Sequence, residues 1–234
     1  MTLLVKICGL STLDTLDVAL DAGADMVGFV FFVSSPRNLS LHLARELAAR
    51  VKGRAEKVAL TVDADDAMLA NIVDVLQPDM LQLHGNETPA RVSAIAQRFG
   101  LPVMKVLAIE TTADLAAIPR YLKIADRLLF DARPPRDATR PGGLGKPFDW
   151  HLLEGLDLSI PFMLSGGLDP QNVAEAIRIT RAGAVDVSTG VESAPGVKDP
   201  DKIRAFIAAA RSALSSRPSV QSTREPGPIT TAGA

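Results

Sequence analysis

The chain has 234 residues, 47% hydrophobic and 22% charged, a balance that suits one soluble domain with a large core and excludes a fibrous or disordered chain. A formal net charge of −2 and a pI near 5.9 lack the basic excess that a nucleic-acid backbone requires, so nucleic acid is excluded as a partner. The opening MTLLVKICGL has neither the basic nor the long apolar region of a secretion signal, and no run of 18 apolar residues follows. No membrane partner is therefore expected, and the location reads as cytoplasmic.

Apolar, β-branched runs mark strands in chain order: LLVKIC from residue 3, MVGFVFF from 26, KVALTV from 57 and MLQLH from 80, then PVMKVLA from 102, RLLFDA from 127, PFMLS from 161 and AVDVST from 184. Helical periodicity separates them. It is clearest in Leu69, Ile72, Val73 and Leu76, in Val92, Ile95, Ala96 and Phe99, and in Val173, Ala176, Ile177 and Thr180. Ser11 and Ser40 are expected to cap helices, and the Ala-Gly-Ala turns at 22–24 and 182–184 to end them at glycine. Buried strands alternating with amphipathic helices imply parallel strands joined by right-handed crossovers. Eight such units in this length predict an α/β fold, a single-domain (β/α)8 TIM barrel over 1–214. From 215 to 234 the composition turns to Ser, Thr, Pro and Gly with no apolar face, and a disordered tail is expected.

Active sites of such barrels lie at the carboxyl ends of the strands. Strand one ends in Cys8-Gly9, and strand two leads to Ser34-Ser35-Pro36-Arg37. Strand three ends in Asp63, strand four in Gln82, His84 and Gly85, and strand six in Asp131. Strand seven ends in Ser165-Gly166-Gly167 and strand eight in Ser188-Thr189-Gly190. Glycines after strands seven and eight open backbone N–H groups to an anion, where these barrels often bind phosphate, so Gly166, Gly167, Ser188, Thr189 and Gly190 are expected to hold one. The alternative for such glycines is an ordinary turn. Cys8 is the lone cysteine, a small buried hydrophobe or a reactive thiol. His42, His84 and His151 show no metal-ligand spacing, and neither a metal nor a cofactor is expected.

Seven motifs in register resemble the phosphoribosylanthranilate isomerase family. They are KICGL at 6–10, GFVF then SPR within 28–37, QLHG at 82–85, LLFD at 128–131, GGLGKPFDW at 142–150, SGGLDPQNV at 165–173 and DVSTGVESAPGVKD at 186–199. The resemblance covers residues 3–214 and implies an Amadori rearrangement in tryptophan biosynthesis: N-(5-phosphoribosyl)anthranilate becomes 1-(2-carboxyphenylamino)-1-deoxyribulose 5-phosphate. It implies Cys8 as the general base that removes the C2′ proton and Asp131 as the general acid at the ring oxygen. It also implies Arg37 as the partner of the anthranilate carboxylate, a group that a planar guanidinium can grip with two parallel hydrogen bonds. Gln82 and His84 take supporting roles in substrate binding. Gly145 belongs to a glycine-rich segment suited to a lid. Thr189 departs from the serine more usual in the family, which leaves the backbone N–H available as before.

A thiol of ordinary pKa is only a few per cent thiolate at neutral pH, so something must activate Cys8. Lys6, two residues earlier, shares its face of the strand and is the candidate. Asp186 reads as either a satisfied interior carboxylate or a reactant, and Asp131 could instead be a helix cap. Rival readings are a histidine-pathway isomerase, expected to use two aspartates, an indoleglycerol-phosphate synthase, which needs strand-end lysines, or a non-catalytic barrel that binds a phosphorylated ligand. A monomer acting on a small phosphorylated substrate is expected.

Overall fold

The structure, a computed structural model, describes residues 3–134, 142 and 147–215. Residues 143–146 of the 142–150 motif, Gly145 among them, and the segment 216–234 therefore lie outside the described residues.

The strands form where the apolar runs stand: β1 (Leu4–Cys8), β2 (Met26–Phe31), β3 (Glu56–Thr61), β4 (Met80–Leu83), β5 (Val103–Ile109), β6 (Arg127–Ala132), β7 (Phe162–Leu164) and β8 (Ala184–Val187). They pair in sequence order into one closed parallel barrel. Closure is made by β8 against β1, with Lys6 opposite Asp186. Period-two alternation sends one side chain inward and the next outward. Outward residues such as Val5, Ile7, Val27 and Phe29 pack with the helices in the main core. Met26, Val58, Met80, Met104, Leu129 and Met163 form a second apolar cluster, and Cys8, Val30 and Leu60 a third.

The helices are α1 (Leu13–Asp21), α2 (Leu41–Val51), α3 (Asp66–Leu76), α4 (Pro89–Phe99), α5 (Val173–Thr180) and α6 (Pro200–Ser215). Ser40 caps α2 as expected, accepting from the Leu43 N–H at 3.2 Å. At α1 the cap is Thr12 rather than Ser11, because the helix starts at Leu13 and the Thr12 hydroxyl accepts from the Thr15 N–H. Gly23 takes φ +88° after α1 as expected. At the second Ala-Gly-Ala turn the left-handed residue is Arg181 (φ 52°) and not Gly183. After β5 and β6 the connections are the 3₁₀ segments 112–120 and 150–153. Pro119 lies inside the first and lacks the N–H that a continuing α-helix would need. α6 returns over the start of the chain, where Arg211 donates to the Leu3 and Gly23 carbonyls and pairs with Asp25 at 2.6 Å. Between β8 and α6 lies a short hairpin, β9 (Glu192–Ala194) with β10 (Val197–Lys198).

Candidate active site

At the carboxyl end of the barrel a cavity of about 440 Å³ is lined by Cys8, Arg37, Gln82, His84, Asp131, Gly166, Gly167, Ser188, Thr189 and Gly190. Every site residue expected from the sequence is there except Gly145, which lies outside the described residues. Side chains from six strand ends converge because the pleat aims the last inward position of each strand at the same opening. Sequence reasoning missed the apolar wall, which includes Phe32, Leu60, Val62 and Phe148. Phe32 ends the quoted MVGFVFF run and Phe148 stands in GGLGKPFDW, but nothing in either run separates a wall residue from a core residue.

The barrel centre holds a buried ion pair, Lys6 Nζ to Asp186 Oδ1 at 2.7 Å, and the Ser165 hydroxyl donates to Asp186 Oδ2 at 3.1 Å. Asp186 is thus a satisfied interior carboxylate. Burial opposes the Lys6 charge, but the charges of Asp186 and Cys8 outweigh it and hold Lys6 above its ordinary value. At Cys8 the balance runs the other way from the expectation. Burial pushes the thiol above its ordinary 9.0, and the downward pull of Lys6 does not offset it. Lys6 does act on Cys8 in the expected direction, but desolvation is larger.

This has a direct chemical readout. With the thiol raised, the thiolate fraction should climb about tenfold per pH unit across neutrality. Alkylation of this single cysteine by iodoacetamide, followed as a mass increase, should rise from pH 7 to 9 without levelling off. A plateau at lower pH would show a thiol that is activated rather than raised.

Asp131 Oδ1 accepts from the Ala132 N–H at 2.9 Å, and Oδ2 lies 3.2 Å from His84 Nε2. The His84 contact falls short of hydrogen-bond alignment. Gly142 comes close above them: a Cβ there would sit 2.5 Å from Asp131 Oδ2 and 2.8 Å from His84 Cε1. Gly166, at φ +85°, leaves no room for a Cβ against the Ala132 backbone nitrogen. Gly166 after β7 and Gly190 after β8, whose Cβ would run into the Leu168 carbonyl, are therefore close-approach positions. Gln82 is 1% exposed, and its Oε1 has no hydrogen-bond partner among the described residues.

Arg37 is buried at 4% exposure. Its Nε and Nη2 grip Glu192 at 2.6 and 2.8 Å, and Nη2 also reaches Thr189 Oγ1 at 3.2 Å. The side-on edge of the guanidinium is thus already taken by a protein carboxylate, and Nη1 is the nitrogen that Glu192 and Thr189 leave unengaged. Glu192 and Lys198 were missed as site residues although both stand in the quoted DVSTGVESAPGVKD motif. Their signal was two charged residues flanking a Pro-Gly turn.

Among the described residues no group of three or more His, Cys, Asp or Glu is placed to hold a metal ion, and no helix is long and apolar enough to cross a membrane.

Residues 5–209 match the family model of N-(5'-phosphoribosyl)anthranilate isomerase. Among curated relatives, the N-(5'-phosphoribosyl)anthranilate isomerase of Bradyrhizobium diazoefficiens is 71% identical over 211 residues, covering 90% of this chain and 95% of that one. That of Nitrobacter hamburgensis is 68% identical over 213 residues, 91% and 95% of the two chains. Among solved structures, phosphoribosyl anthranilate isomerase from Thermotoga maritima superposes with a TM-score of 0.82 at 35% identity, covering 90% of this chain and 100% of that one. A phosphoribosyl anthranilate isomerase in complex with reduced 1-(o-carboxyphenylamino)-1-deoxyribulose 5-phosphate superposes at 0.78 and 33% identity over the same shares.

Proposed function

The chain belongs to the N-(5'-phosphoribosyl)anthranilate isomerase family, and from that membership we propose that Cys8 and Asp131 are the base and acid of its reaction. The enzyme is an isomerase of tryptophan biosynthesis acting on a small phosphorylated substrate. The observation that carries the residue assignment is the convergence of Cys8, on β1, and Asp131, on β6, on one cavity that is also lined by the glycines after β7 and β8 and by an apolar wall.

Asp131 donates a proton to the ribose ring oxygen, the C1′–O bond opens and the anilino nitrogen lone pair completes a Schiff base. Cys8 then removes the C2′ proton, giving an enolamine that tautomerises to the 1-deoxyribulose ketone. The proton count closes, since one is donated and one removed. The backbone N–H groups around Gly166, Gly167 and Gly190 suit the phosphate. Phe32, Leu60 and Val62 suit the anthranilate ring, and the unpaired Gln82 Oε1 suits a sugar hydroxyl. Arg37 takes the anthranilate carboxylate through Nη1, a narrower grip than two parallel bonds, because Glu192 occupies the other edge.

The test is conversion of freshly made phosphoribosylanthranilate, read as loss of its fluorescence. Turnover is expected, and a native chain that leaves the substrate unchanged would overturn the reading.

The barrel over 1–214 acts as one catalytic unit in the cytoplasm, and as a monomer. The exposed large hydrophobics among the described residues are few, Leu13 on α1, Val33 in the loop after β2, Leu41 on α2 and Val197 on β10, less than an apolar interface core needs. Light scattering should give the monomer mass at every concentration, and a concentration-independent dimer mass would refute it.

A further inference from the structure

Directly behind the substrate-facing residues lie two buried charges that no step above uses. Glu192 is 7% exposed and Lys198 6%. The Glu192 carboxylate accepts from both Arg37 nitrogens, from Lys198 Nζ at 2.9 Å and from the Gly196 N–H at 3.2 Å. Lys198 Nζ donates in addition to the Ser188 carbonyl at 2.8 Å and to the Ser188 hydroxyl at 3.2 Å. A single carboxylate thus touches the guanidinium and, through Lys198, the turn that follows β8, which the guanidinium itself also reaches at Thr189 Oγ1.

Such a cluster is costly to half-dismantle. A buried carboxylate gripped by two cations is tolerable, whereas losing one partner leaves a buried charge under-compensated. Two cations against one anion also leave one surplus positive charge at a site that must receive two anionic groups. Burial would raise the Glu192 carboxyl, but its bonds to Arg37 and Lys198 outweigh that and keep it ionised. Burial pulls Lys198 down to about 8 against the pull of Glu192.

We propose that Glu192 and Lys198 are positioning residues of the isomerase: they hold Arg37 and the Ser188–Thr189 turn, which meet at Thr189 Oγ1, in the mutual arrangement that the carboxylate and phosphate of one substrate require. The proposal rests on the reading above that Arg37 takes the carboxylate and the turn after β8 the phosphate.

The experiment is steady-state kinetics of the full chain with phosphoribosylanthranilate, beside inhibition by anthranilate and by inorganic phosphate, for Glu192→Gln and Lys198→Met. Glu192→Gln is expected to raise KM and the anthranilate inhibition constant about tenfold with kcat within about threefold, an energy of roughly 1.4 kcal/mol confined to binding. In an Arg37→Met background the same change should do nothing further to anthranilate inhibition, which a merely structural role would not predict. Lys198→Met should raise KM and the phosphate inhibition constant together. Constants within twofold of native in folded variants, or a fall in kcat alone, would overturn the proposal.

Should either variant fail to fold, the native enzyme carries the test. Lys198 is faced by Glu192 from β9, Arg37 from the loop after β2 and Cys8 from β1. Above about pH 8 it loses its proton, the surplus charge disappears and KM should rise; a KM constant from pH 7 to 9 would count against the proposal. An inactive native chain overturns the functional reading, whereas an active chain with indifferent variants and a flat KM overturns only this one.

Discussion

Asp131→Asn is expected to lower kcat by about 10²–10⁴ while leaving the fold intact, the usual range for removing a positioned general acid. The exchange is nearly isosteric. An asparagine oxygen can still accept from the Ala132 N–H, and the position beside His84 Nε2 is preserved, so what is removed is the transferable proton. Cys8→Ser should cost a similar factor, because a serine hydroxyl yields essentially no alkoxide at neutral pH, whereas the thiol yields some thiolate. The two losses should not add in the double variant, since acid and base serve successive steps of one reaction and the slower step sets the rate. Single-turnover conversion of phosphoribosylanthranilate measures all three. Activity within tenfold of native in Asp131→Asn would remove Asp131 from the acid role and leave His84, 3.2 Å away, as the group to test next.

The second large effect is on stability. Gly190→Ala would drive a Cβ into the Leu168 carbonyl oxygen, 2.9 Å from the Leu168 carbonyl carbon and 3.0 Å from Asp169 Cα. All three are backbone atoms, so no side chain can swing away, and the loops after β7 and β8 must separate. Overpacking of this kind costs about 3 kcal/mol, which in a chain of this size lowers Tm by about 6–12 °C. The same separation spoils the phosphate cradle, so KM should rise in the fraction that folds. Gly183→Ala is the control. Nothing lies within 4 Å of its Cβ position, and its Tm should stay within about 2 °C of native. Equal melting of the two variants would show that the close approach at Gly190 is not as tight as drawn.

Much of this was legible in the sequence for a plain reason. Strands buried on both faces read as continuous apolar runs, so β1 to β8 stand out, and in a closed parallel barrel the residue ending each run is already near the site. That Cys8, Asp131 and the glycines after β7 and β8 stand at the cavity followed from their positions at strand ends, whereas the roles of Cys8 and Asp131 came from the family resemblance. What escaped depends on distance through space. Arg37 and Glu192 are 155 residues apart, and no periodicity joins them, so the guanidinium looked free although its Nε and Nη2 already bond to Glu192. The direction of the Cys8 shift escaped for a related reason: Lys6 was visible as a neighbouring charge, but desolvation is set by the surroundings on every side. Thr12 displaced Ser11 as a cap through a difference of one residue in where α1 begins, the least readable feature of any helix.

The closure of the barrel by β8 on β1 also orders events in time. Lys6 meets Asp186 across 180 residues, so while the chain is being synthesised β1 keeps one edge unpaired until residues 184–187 have emerged. Lys6 has no counter-ion until then, and Cys8 no finished cavity. Contacts this distant in sequence are slow to form, and an unpaired strand edge invites association with other chains. The interval before closure is therefore when a nascent chain is most exposed to aggregation. A working centre must wait for β8 and for the turn at 188–190 behind it, so a chain stopped before residue 184 has neither the partner of Lys6 nor that wall of the cavity.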